Sequence, residues 1–303
     1  MKYKYLLSIV IITMNRKHQL IEALNSCIDA KLPKSIEFVI VDNCSTDGTE
    51  DFVNQFKREH SDLEIKYSLQ NTNLGVGGGR SLGFELSDGK YLYFLDDDAV
   101  ISKESQKKFF IDTIDYLERN DNVASITTRI VDEVLNFDRD VTKSSKTIDG
   151  YNIIFKYLGG SHFLRKSSFT SPLYFNLKYG GEELAPSIQS QDNHFYHVYM
   201  DDVWIIHKPK VNKWQKNTES MNEILCLNVS VAYATKCVLY PLIFKPLLYL
   251  LFLLRYYKHL RGIKGSYKYI QAIIKEIKIN NHVKKVKVIT VLRLVKNFSI
   301  SVL

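Results

Sequence analysis

Residues 90–100 read KYLYFLDDDAV, an apolar run that ends in three consecutive aspartates, Asp96, Asp97 and Asp98. The apolar part has the length and composition of a buried strand. Two unit charges about 4 Å apart repel by roughly 4 kcal/mol at an effective dielectric near 20. Three carboxylates at a strand end therefore call for a compensating charge, and we expect a metal ion there.

Three further apolar runs of strand length precede this one, and helical patterns separate them. The runs are LLSIVII (6–12), IEFVIV (36–41) and LEIKYSL (63–69). Strands that alternate with helices predict an α/β fold with a mainly parallel, doubly wound sheet and helices on both faces. Beyond the aspartates the sequence predicts a helix and four strands, at about 103–119, 123–131, 161–165, 195–200 and 203–207.

Polar segments follow each of the first four predicted strands, at 13–16, 42–47, 71–79 and 96–98. In an open sheet of this kind, ligands bind beyond the carboxyl ends of the strands. We therefore expect the four segments to form one binding site. The glycine-rich segment does not match the dinucleotide fingerprint, because Arg80 occupies the place of the third glycine. This mismatch disfavours hydride-transfer chemistry.

Composition and charge narrow the class of protein further. The chain has 303 residues, of which 45% are hydrophobic and 24% charged, as in an ordinary globular protein. Its four cysteines are far apart, so neither a zinc knuckle nor a disulfide framework is indicated. Of the net charge of +8, residues from Arg255 onward carry +11, with twelve Lys or Arg against one acid, and the remainder carries −3. Because the body of the protein is not basic, we expect no nucleic-acid partner.

Five segments in a fixed order carry a resemblance to a known family. They are SIVIITMNR (8–16), VIVDNCSTDGT (39–49), NTNLGVGGGRSLG (71–83), YFLDDDA (93–99) and GGEEL (180–184), and a strand ending in His207 follows. In this order they resemble the inverting nucleotide-sugar glycosyltransferases of family 2, which have the GT-A fold. The resemblance covers about residues 6 to 210 and implies a Rossmann-like, mixed and mainly parallel sheet.

The resemblance implies a donor site at the ends of the first strands. It assigns nucleotide-sugar binding to Thr13, Asn15, Arg16, Asp42, Asn73, Gly75, Arg80, Asp96 and Asp97. In the family, a D-x-D element and a histidine at the end of a later strand hold a divalent metal ion. The metal ligands implied here are Asp96, Asp98 and His207, with Mn²⁺ or Mg²⁺ as the cofactor.

Two physical arguments agree with that metal site. Alternate residues of an extended segment share a face, which predicts that Asp96 and Asp98 point together and Asp97 points away. Carboxylate oxygens are the ligands that Mg²⁺ and Mn²⁺ prefer. A Lewis acid placed beside a diphosphate leaving group stabilises the charge that develops as the glycosidic bond breaks.

The acceptor side of the reaction needs a base that takes the proton of a hydroxyl group. Glu182 and Glu183 align with an acidic motif of the family, usually Glu-Asp, whose second acid is the base. The resemblance therefore favours Glu183 as the catalytic base. Glutamate in place of aspartate adds one methylene group of reach, so Glu182 stays open as the alternative.

The C-terminal region differs in character from the rest. We expect a GT-A catalytic domain over residues 1–215, with a donor half to about residue 100 and an acceptor half beyond it, and a hydrophobic, basic helical region over 216–303. Residues 238–257 are strongly apolar but contain Lys245 between two prolines, which disfavours a spanning helix. A monotopic or re-entrant membrane segment is favoured, and a helical hairpin packed on the catalytic domain is the alternative.

Together these features predict a metal-dependent inverting glycosyltransferase on the cytoplasmic face of the cell membrane, attached peripherally or monotopically. Its donor is expected to be a nucleotide-diphosphate sugar, with UDP favoured, and its acceptor a growing glycan, favoured as lipid-linked. The basic C-terminal region would bind an anionic membrane surface. Two alternatives remain, namely a non-catalytic nucleotide-sugar-binding protein and a nucleotidyltransferase with a similar site.

Overall fold

The computed structural model describes residues 3–134, 137–175, 180–209, 218–262 and 284–303, with three further pairs of residues between 267 and 275. One mixed sheet runs through the part of the chain from Tyr5 to His207, with helices on both of its faces. The predicted α/β class is therefore confirmed.

The sheet combines a parallel half with a mixed half. Strands β3, β2, β1 and β4 are parallel neighbours, β10 pairs antiparallel with both β4 and β6, and β11 is parallel to β6. Strand order is β3-β2-β1-β4-β10-β6-β11-β9-β8, while β5 pairs with β11 and β7 with β6. The strands are β1 (Tyr5–Thr13), β2 (Ile36–Asp42), β3 (Glu64–Leu69), β4 (Gly89–Asp96), β5 (Ala99–Ile101), β6 (Val123–Asp132), β7 (Phe137–Asp138), β8 (Lys143–Ile148), β9 (Tyr151–Ile154), β10 (Ser161–Arg165) and β11 (Tyr196–His207).

The helices divide between the sheet and the C-terminal region. Those described are α1 (Lys17–Ile28), α2 (Thr49–Glu59), α3 (Gly75–Leu86), α4 (Phe109–Arg119), α5 (Leu184–Asp192), α6 (Thr218–Leu239), α7 (Lys245–His259) and α8 (Val288–Phe298). Alternation along β1 shows how the sheet is covered. Ile9 and Ile11 pack in the core that includes side chains of α1, α2 and α4, whereas Val10 packs in the core formed with α3. Successive side chains of a strand point to opposite faces, so both faces are buried.

Helix α3 contains the glycine-rich segment, which the sequence had placed in a loop. A Cβ atom on Gly83 would lie 2.5 Å from Val10 Cγ1, and one on Gly79 would lie 2.8 Å from Ile12 Cγ2. These glycines therefore let the helix approach β1 more closely than any side chain would allow. Close packing on the sheet, not a flexible turn, explains why glycine stands at these two positions.

Two other predicted boundaries were wrong. Helix α4 begins at Phe109 and not near Lys103, because residues 102–108 form a series of turns. The strands predicted at 195–200 and 203–207 are one strand, β11, whose pairing with β6 is shifted by a bulge between Met200 and Trp204. The sequence suggested a loop there because the bulge contains two exposed aspartates, Asp201 and Asp202.

The apolar stretch 238–257 is not one continuous helix. It includes the end of α6, a 3-10 turn at Leu242–Phe244 and most of α7. The rings of Tyr233 and Phe252 stack across the two helices at 4.4 Å, and buried residues of α5, α6 and α7 share one core. This arrangement matches the packed hairpin that the sequence left as an alternative. Among the described helices, none is long and apolar enough to cross a membrane.

Candidate active site

The predicted site residues lie at the carboxyl edge of the parallel strands, where β1 and β4 end next to each other. Thr13 Oγ1, at the end of β1, donates to Asp97 Oδ2 at 2.8 Å. Arg16 Nη1 donates to Asp97 Oδ1 at 3.0 Å and to Asp98 Oδ2 at 2.7 Å. The loop after the first strand is therefore bonded directly to the aspartates after the fourth.

This bonding corrects one prediction about Asp97. Asp97 and Asp98 share one nitrogen of Arg16, so Asp97 does not point away from its neighbour. The alternation argument requires an extended backbone, but β4 ends at Asp96 and the next two residues form a turn. Burial raises the pKa of Asp97 to about 7, although the charge of Arg16 opposes that rise.

Asp96, Asp98 and His207 form the group that the sequence indicated as metal ligands. One ligand atom from each lies within 4.8 Å of the others. His207 Nε2 lies 3.2 Å from Asp98 Oδ1, which brings the end of β11 against the end of β4. Burial opposes charge on both groups, but their mutual hydrogen bond raises the pKa of His207 and lowers that of Asp98.

A second carboxylate orients this histidine. Asp132, at the end of β6, places Oδ2 3.1 Å from His207 Nδ1. A histidine that ligates a metal commonly makes such a contact through its other ring nitrogen. Two carboxylates and one imidazole, supported in this way, fit a divalent cation such as Mn²⁺ or Mg²⁺. The sequence analysis missed Asp132, which only the pairing of β6 with β11 brings to His207.

The pairing of β7 with β6 brings a second unpredicted residue to the site. Arg139 Nη2 lies 3.0 Å from His207 Nδ1 and 3.1 Å from Nε2. A Cβ atom on Gly160 would lie 3.3 Å from Arg139 Nη1 and 3.3 Å from Asp96 Oδ2, so these two side chains approach the same point. A cationic side chain therefore lies beside the acidic group, on a segment that the sequence treated as loop.

Arg80 connects this group to the acceptor-side acids. Its Nη2 lies 2.6 Å from Asp96 Oδ1, and its Nη1 lies 2.8 Å from Glu182 Oε1 and 3.3 Å from Glu183 Oε1. Only 4% of Arg80 is exposed. Three carboxylates therefore surround a buried guanidinium. The charge of Arg80 is engaged within the protein, and its binding of a nucleotide-sugar stays a prediction.

The acceptor-side acids are buried as well. Glu182 and Glu183 are 5% and 7% exposed and immediately precede α5. Burial raises the pKa of Glu182 to about 7, the neighbouring charge of Glu183 adds to that rise, and Arg80 opposes it. Glu182 and Glu183 thus share the charge of one arginine. With its raised pKa, Glu182 is partly protonated near neutral pH.

Gly159 is a further residue that the sequence analysis missed. A Cβ atom there would collide with Glu183 Oε1 and lie 2.8 Å from Arg80 Nη1. The backbone at this position therefore passes directly over the Arg80–Glu183 contact. A glycine before β10 gives no distinctive signal in one sequence, because its importance depends on residues far away along the chain.

The remaining predicted donor residues stabilise the loops around the site. Asp42 is fully buried and accepts hydrogen bonds from Ser45 N at 2.8 Å and from Tyr67 Oη at 2.7 Å. Asn15 Oδ1 accepts from Thr46 N at 2.7 Å, which joins the first loop to the second. Asn73 Oδ1 accepts from Gly75 N at 2.8 Å, where α3 begins. Asn15 and Asn73 therefore bond to the backbone of the loops and not to the group formed by Asp96, Asp98 and His207.

Comparison with solved structures identifies the architecture as the GT-A fold. The first 349 residues of Staphylococcus aureus TarS, in complex with UDP-GlcNAc, superpose with a TM-score of 0.56 at 19% identity, covering 74% of this chain and 65% of that one. The mannosyltransferase PcManGT from Pyrobaculum calidifontis, with GDP-Man and Mn²⁺, gives 0.57 at 14% identity, covering 97% and 80%. At these identities the likeness concerns the fold alone.

Sequence comparison then identifies the family. The profile described as Glycosyl transferase family 2 matches residues 8–173, more than half of the chain. The chain therefore belongs to glycosyl transferase family 2, and the resemblance drawn from its motifs is confirmed.

Individual relatives match over a shorter region. S. aureus TarS, a poly(ribitol-phosphate) beta-N-acetylglucosaminyltransferase, is 34% identical over 102 residues, which are 33% of this chain and 17% of TarS. Escherichia coli WfaP, a UDP-Glc:alpha-D-GlcNAc-diphosphoundecaprenol beta-1,3-glucosyltransferase, is 33% identical over 110 residues, or 36% of this chain and 42% of WfaP. The match thus spans less than half the length of each relative.

Proposed function

We propose that this chain is a metal-dependent inverting glycosyltransferase that moves a sugar from a nucleotide-diphosphate donor to a hydroxyl group of a glycan. The observation that carries the proposal is the contact network of Arg80. This one side chain joins the Asp96–Asp98–His207 group to the acid pair Glu182–Glu183. The proposed leaving-group site and the proposed base would thereby lie on either side of Arg80, as displacement at a sugar carbon requires.

On the donor side, Asp96, Asp98 and His207 would hold Mn²⁺ or Mg²⁺. When bound there, such a cation neutralises charge on a departing diphosphate. Thr13 and Arg16 keep Asp97 and Asp98 in place, and Arg16 is 42% exposed in its side chain, so it can also reach a bound phosphate. A UDP donor is favoured because UDP-GlcNAc is bound by TarS and UDP-Glc is named as the donor of WfaP.

On the acceptor side, the base takes the proton from the attacking hydroxyl group. The new bond joins the acceptor oxygen to the sugar carbon, the bond from that carbon to the phosphate oxygen breaks, and the nucleoside diphosphate leaves with the electron pair. Glu183 is the proposed base, because it is the second acid of the motif, which is the position of the base in the family, and because Glu182 makes the shorter contact with Arg80.

The acceptor is proposed to be a glycan carried on a lipid. WfaP acts on a sugar linked to diphosphoundecaprenol, and this chain shares 110 aligned residues with it. An enzyme for such an acceptor works at the inner face of the membrane, where lipid-linked intermediates lie. Residues 1–215 would supply the catalytic domain and the helices that follow would supply the membrane contact.

Replacement of each acid by its amide tests the proposed roles. We expect Glu183→Gln to lower sugar transfer by about 10² to 10⁴, the contribution of a positioned general base, while binding of UDP with Mn²⁺ is unchanged. Glu182→Gln serves as the matched control and should retain more activity. UDP released from UDP-glucose and from UDP-GlcNAc is measured with a diphospholipid-linked GlcNAc acceptor.

Two outcomes would count against the proposal. Equal turnover of wild type and Glu183→Gln would show that Glu183 is not the base. Tight binding of UDP without cleavage of either donor, by acceptor or by water, would favour the non-catalytic nucleotide-sugar-binding alternative.

A further inference from the structure

Exposed apolar side chains are concentrated at one end of the protein. Among the described residues, large apolar side chains are exposed at sixteen positions, and twelve of these lie between Leu225 and Ile300. Single exposed apolar residues are normal on a monomer, whereas a concentration of them marks an interaction surface. The C-terminal helices therefore carry a candidate interaction surface.

Helix α7 is apolar on two opposite faces. Leu248 and Phe252 are buried against the rest of the protein. Leu250 and Leu254, four residues apart and thus on one side of the helix, are 53% and 58% exposed. A helix that is apolar all round is normally covered all round. Within the described part of the chain, the outer face of α7 is not covered.

The turn before α7 and helix α8 also carry exposed apolar side chains. Ile243, in the turn before α7, is 74% exposed, and Ile289 and Leu292 are exposed on α8. Hydrogen bonds join the segments on either side of α8 to α6 and α7: Val286 N donates to Leu239 O of α6 at 2.8 Å, and Arg255 Nη2 of α7 donates to Ser301 O at 3.0 Å. We call these residues the C-terminal apolar surface: Leu242, Ile243, Leu250, Leu254, Ile289 and Leu292.

Basic side chains accompany the apolar ones. Lys245, Lys258, Lys287 and Lys296 are exposed on or beside α7 and α8. The chain from Arg255 onward carries +11, against −3 for the remainder. Apolar residues with lysines around them are typical of elements that lie in the interface of a bilayer and attract anionic lipids.

The same charge argues against a second copy of the chain as the partner. A symmetric dimer through this surface would place two identical, strongly basic regions opposite each other. Like charges across an interface oppose association. An anionic bilayer offers the opposite charge and an apolar interior at once.

We infer that the C-terminal apolar surface docks on an anionic phospholipid bilayer. The acid pair lies next to α6, and α6 packs on α7: a Cβ atom on Gly181, next to Glu182, would lie 2.7 Å from Val231 Cγ1 of α6, and Tyr233 of α6 stacks on Phe252 of α7. Docking would thus hold the acid pair near the membrane surface. Docking gives the membrane contact of the proposed function its surface and its lipid; the role of the acid pair rests on that proposed function, whereas the exposed residues and charges that support docking do not.

Vesicle sedimentation tests the inference. We expect the full chain to bind vesicles of phosphatidylcholine with phosphatidylglycerol, to bind pure phosphatidylcholine less well, and to lose affinity as salt rises. The pair Leu250→Glu and Leu254→Glu should weaken binding by about tenfold or more. Asn54→Glu, an exposed position on α2, is the matched control and should bind as wild type does.

A spectroscopic readout reports insertion itself. Leu254→Trp should show a blue-shifted tryptophan emission on vesicles, measured as the difference from wild type, and quenching by lipids with brominated chains. Retained binding of UDP with Mn²⁺ shows that the Leu250→Glu/Leu254→Glu variant still folds. Loss of docking and failure of the donor site are thereby distinguished.

Three results would overturn the inference. The first is that wild type does not bind vesicles, and the second is that the Leu250→Glu/Leu254→Glu variant binds them as well as wild type does. The third is a dimer of wild type without lipid, seen in sedimentation velocity, that dissociates in this variant. The last result would make a second copy the occupant of the surface.

Discussion

Arg80 is the residue on which both halves of the site depend. Its guanidinium is buried among Asp96, Glu182 and Glu183, and each of these carboxylates lies within 3.3 Å of it. Burial would lower the pKa of Arg80, but the surrounding carboxylates raise it well above its ordinary value. The cation is therefore permanently charged, and its loss would leave buried negative charges without compensation.

We expect Arg80→Gln to lower the free energy of unfolding by about 3 to 5 kcal/mol, the cost typical of breaking a buried ion pair from one side. Denaturant unfolding of the metal-free chain measures it. Arg119→Gln is the control, because the Arg119 side chain is 66% exposed and its ion pair spans 4.0 Å. That variant should change stability by less than about 1 kcal/mol. If both variants lost a similar free energy of unfolding, the charge of Arg80 would not be what compensates the buried carboxylates.

The acid pair predicts a specific dependence of stability on pH. Glu182 has a pKa of about 7 in the folded protein and an ordinary value of 4.5. Between these values the folded state binds a proton that the unfolded chain does not, so stability contributed by this group rises as pH falls from 8 to 6. The slope from one group is at most about 1.4 kcal/mol per pH unit.

Glu182→Gln should remove this contribution. We compare the free energy of unfolding of wild type and variant between pH 6 and pH 8, in the presence of a chelator. Subtraction cancels other titrating groups that both chains share. A difference between the two chains that does not vary with pH would show that Glu182 keeps an ordinary pKa.

At the scale of elements, helix α3 depends on its glycines. Alanine is normally the better helix former by about 1 kcal/mol, so a glycine-to-alanine change in a helix usually stabilises it. Gly83→Ala should instead destabilise the protein by about 1 to 3 kcal/mol, because the new Cβ would lie 2.5 Å from Val10 Cγ1. Thermal unfolding measures this change.

Gly262→Ala provides the matched control, since a Cβ atom there meets nothing within 4 Å. It should leave stability within about 0.5 kcal/mol of wild type. If Gly83→Ala proved neutral or stabilising, contact between α3 and β1 would not be the reason for that glycine.

These elements also show how much the sequence could predict. Apolar runs predicted β1, β2 and β4 and their shared carboxyl edge, and motif order predicted Asp98, Glu183 and His207 as site residues, of which the structure brings Asp98 and His207 into contact. The glycine-rich segment was expected in a loop but forms α3, because Gly79 and Gly83 serve contact with β1 and that contact is not visible along the chain. Asp132, Arg139 and Gly159 could not be found from one sequence either, since strand pairing alone brings them to the acids.

At the scale of the whole molecule, charge and chemistry are separated along the chain. Residues 1–254 carry a net charge of −3, and residues from Arg255 onward carry +11. The sheet has the predicted donor-binding residues at the ends of its parallel strands and reaches His207 only through β11, far along the chain. The Asp96–Asp98–His207 group comes together only in the folded protein, so a ligand that binds there should stabilise the fold.

The most direct test of the account is therefore a thermal-shift measurement with UDP, dTDP, GDP and CMP, each with and without Mn²⁺, on wild type and Asp98→Asn. Ligand at 100 times its dissociation constant adds about 2.7 kcal/mol to the free energy of unfolding. The account predicts stabilisation by one nucleoside diphosphate, UDP, that requires Mn²⁺ and is lost in Asp98→Asn. Absence of any shift, or a shift with UDP that is equal in Asp98→Asn and without metal, would contradict it.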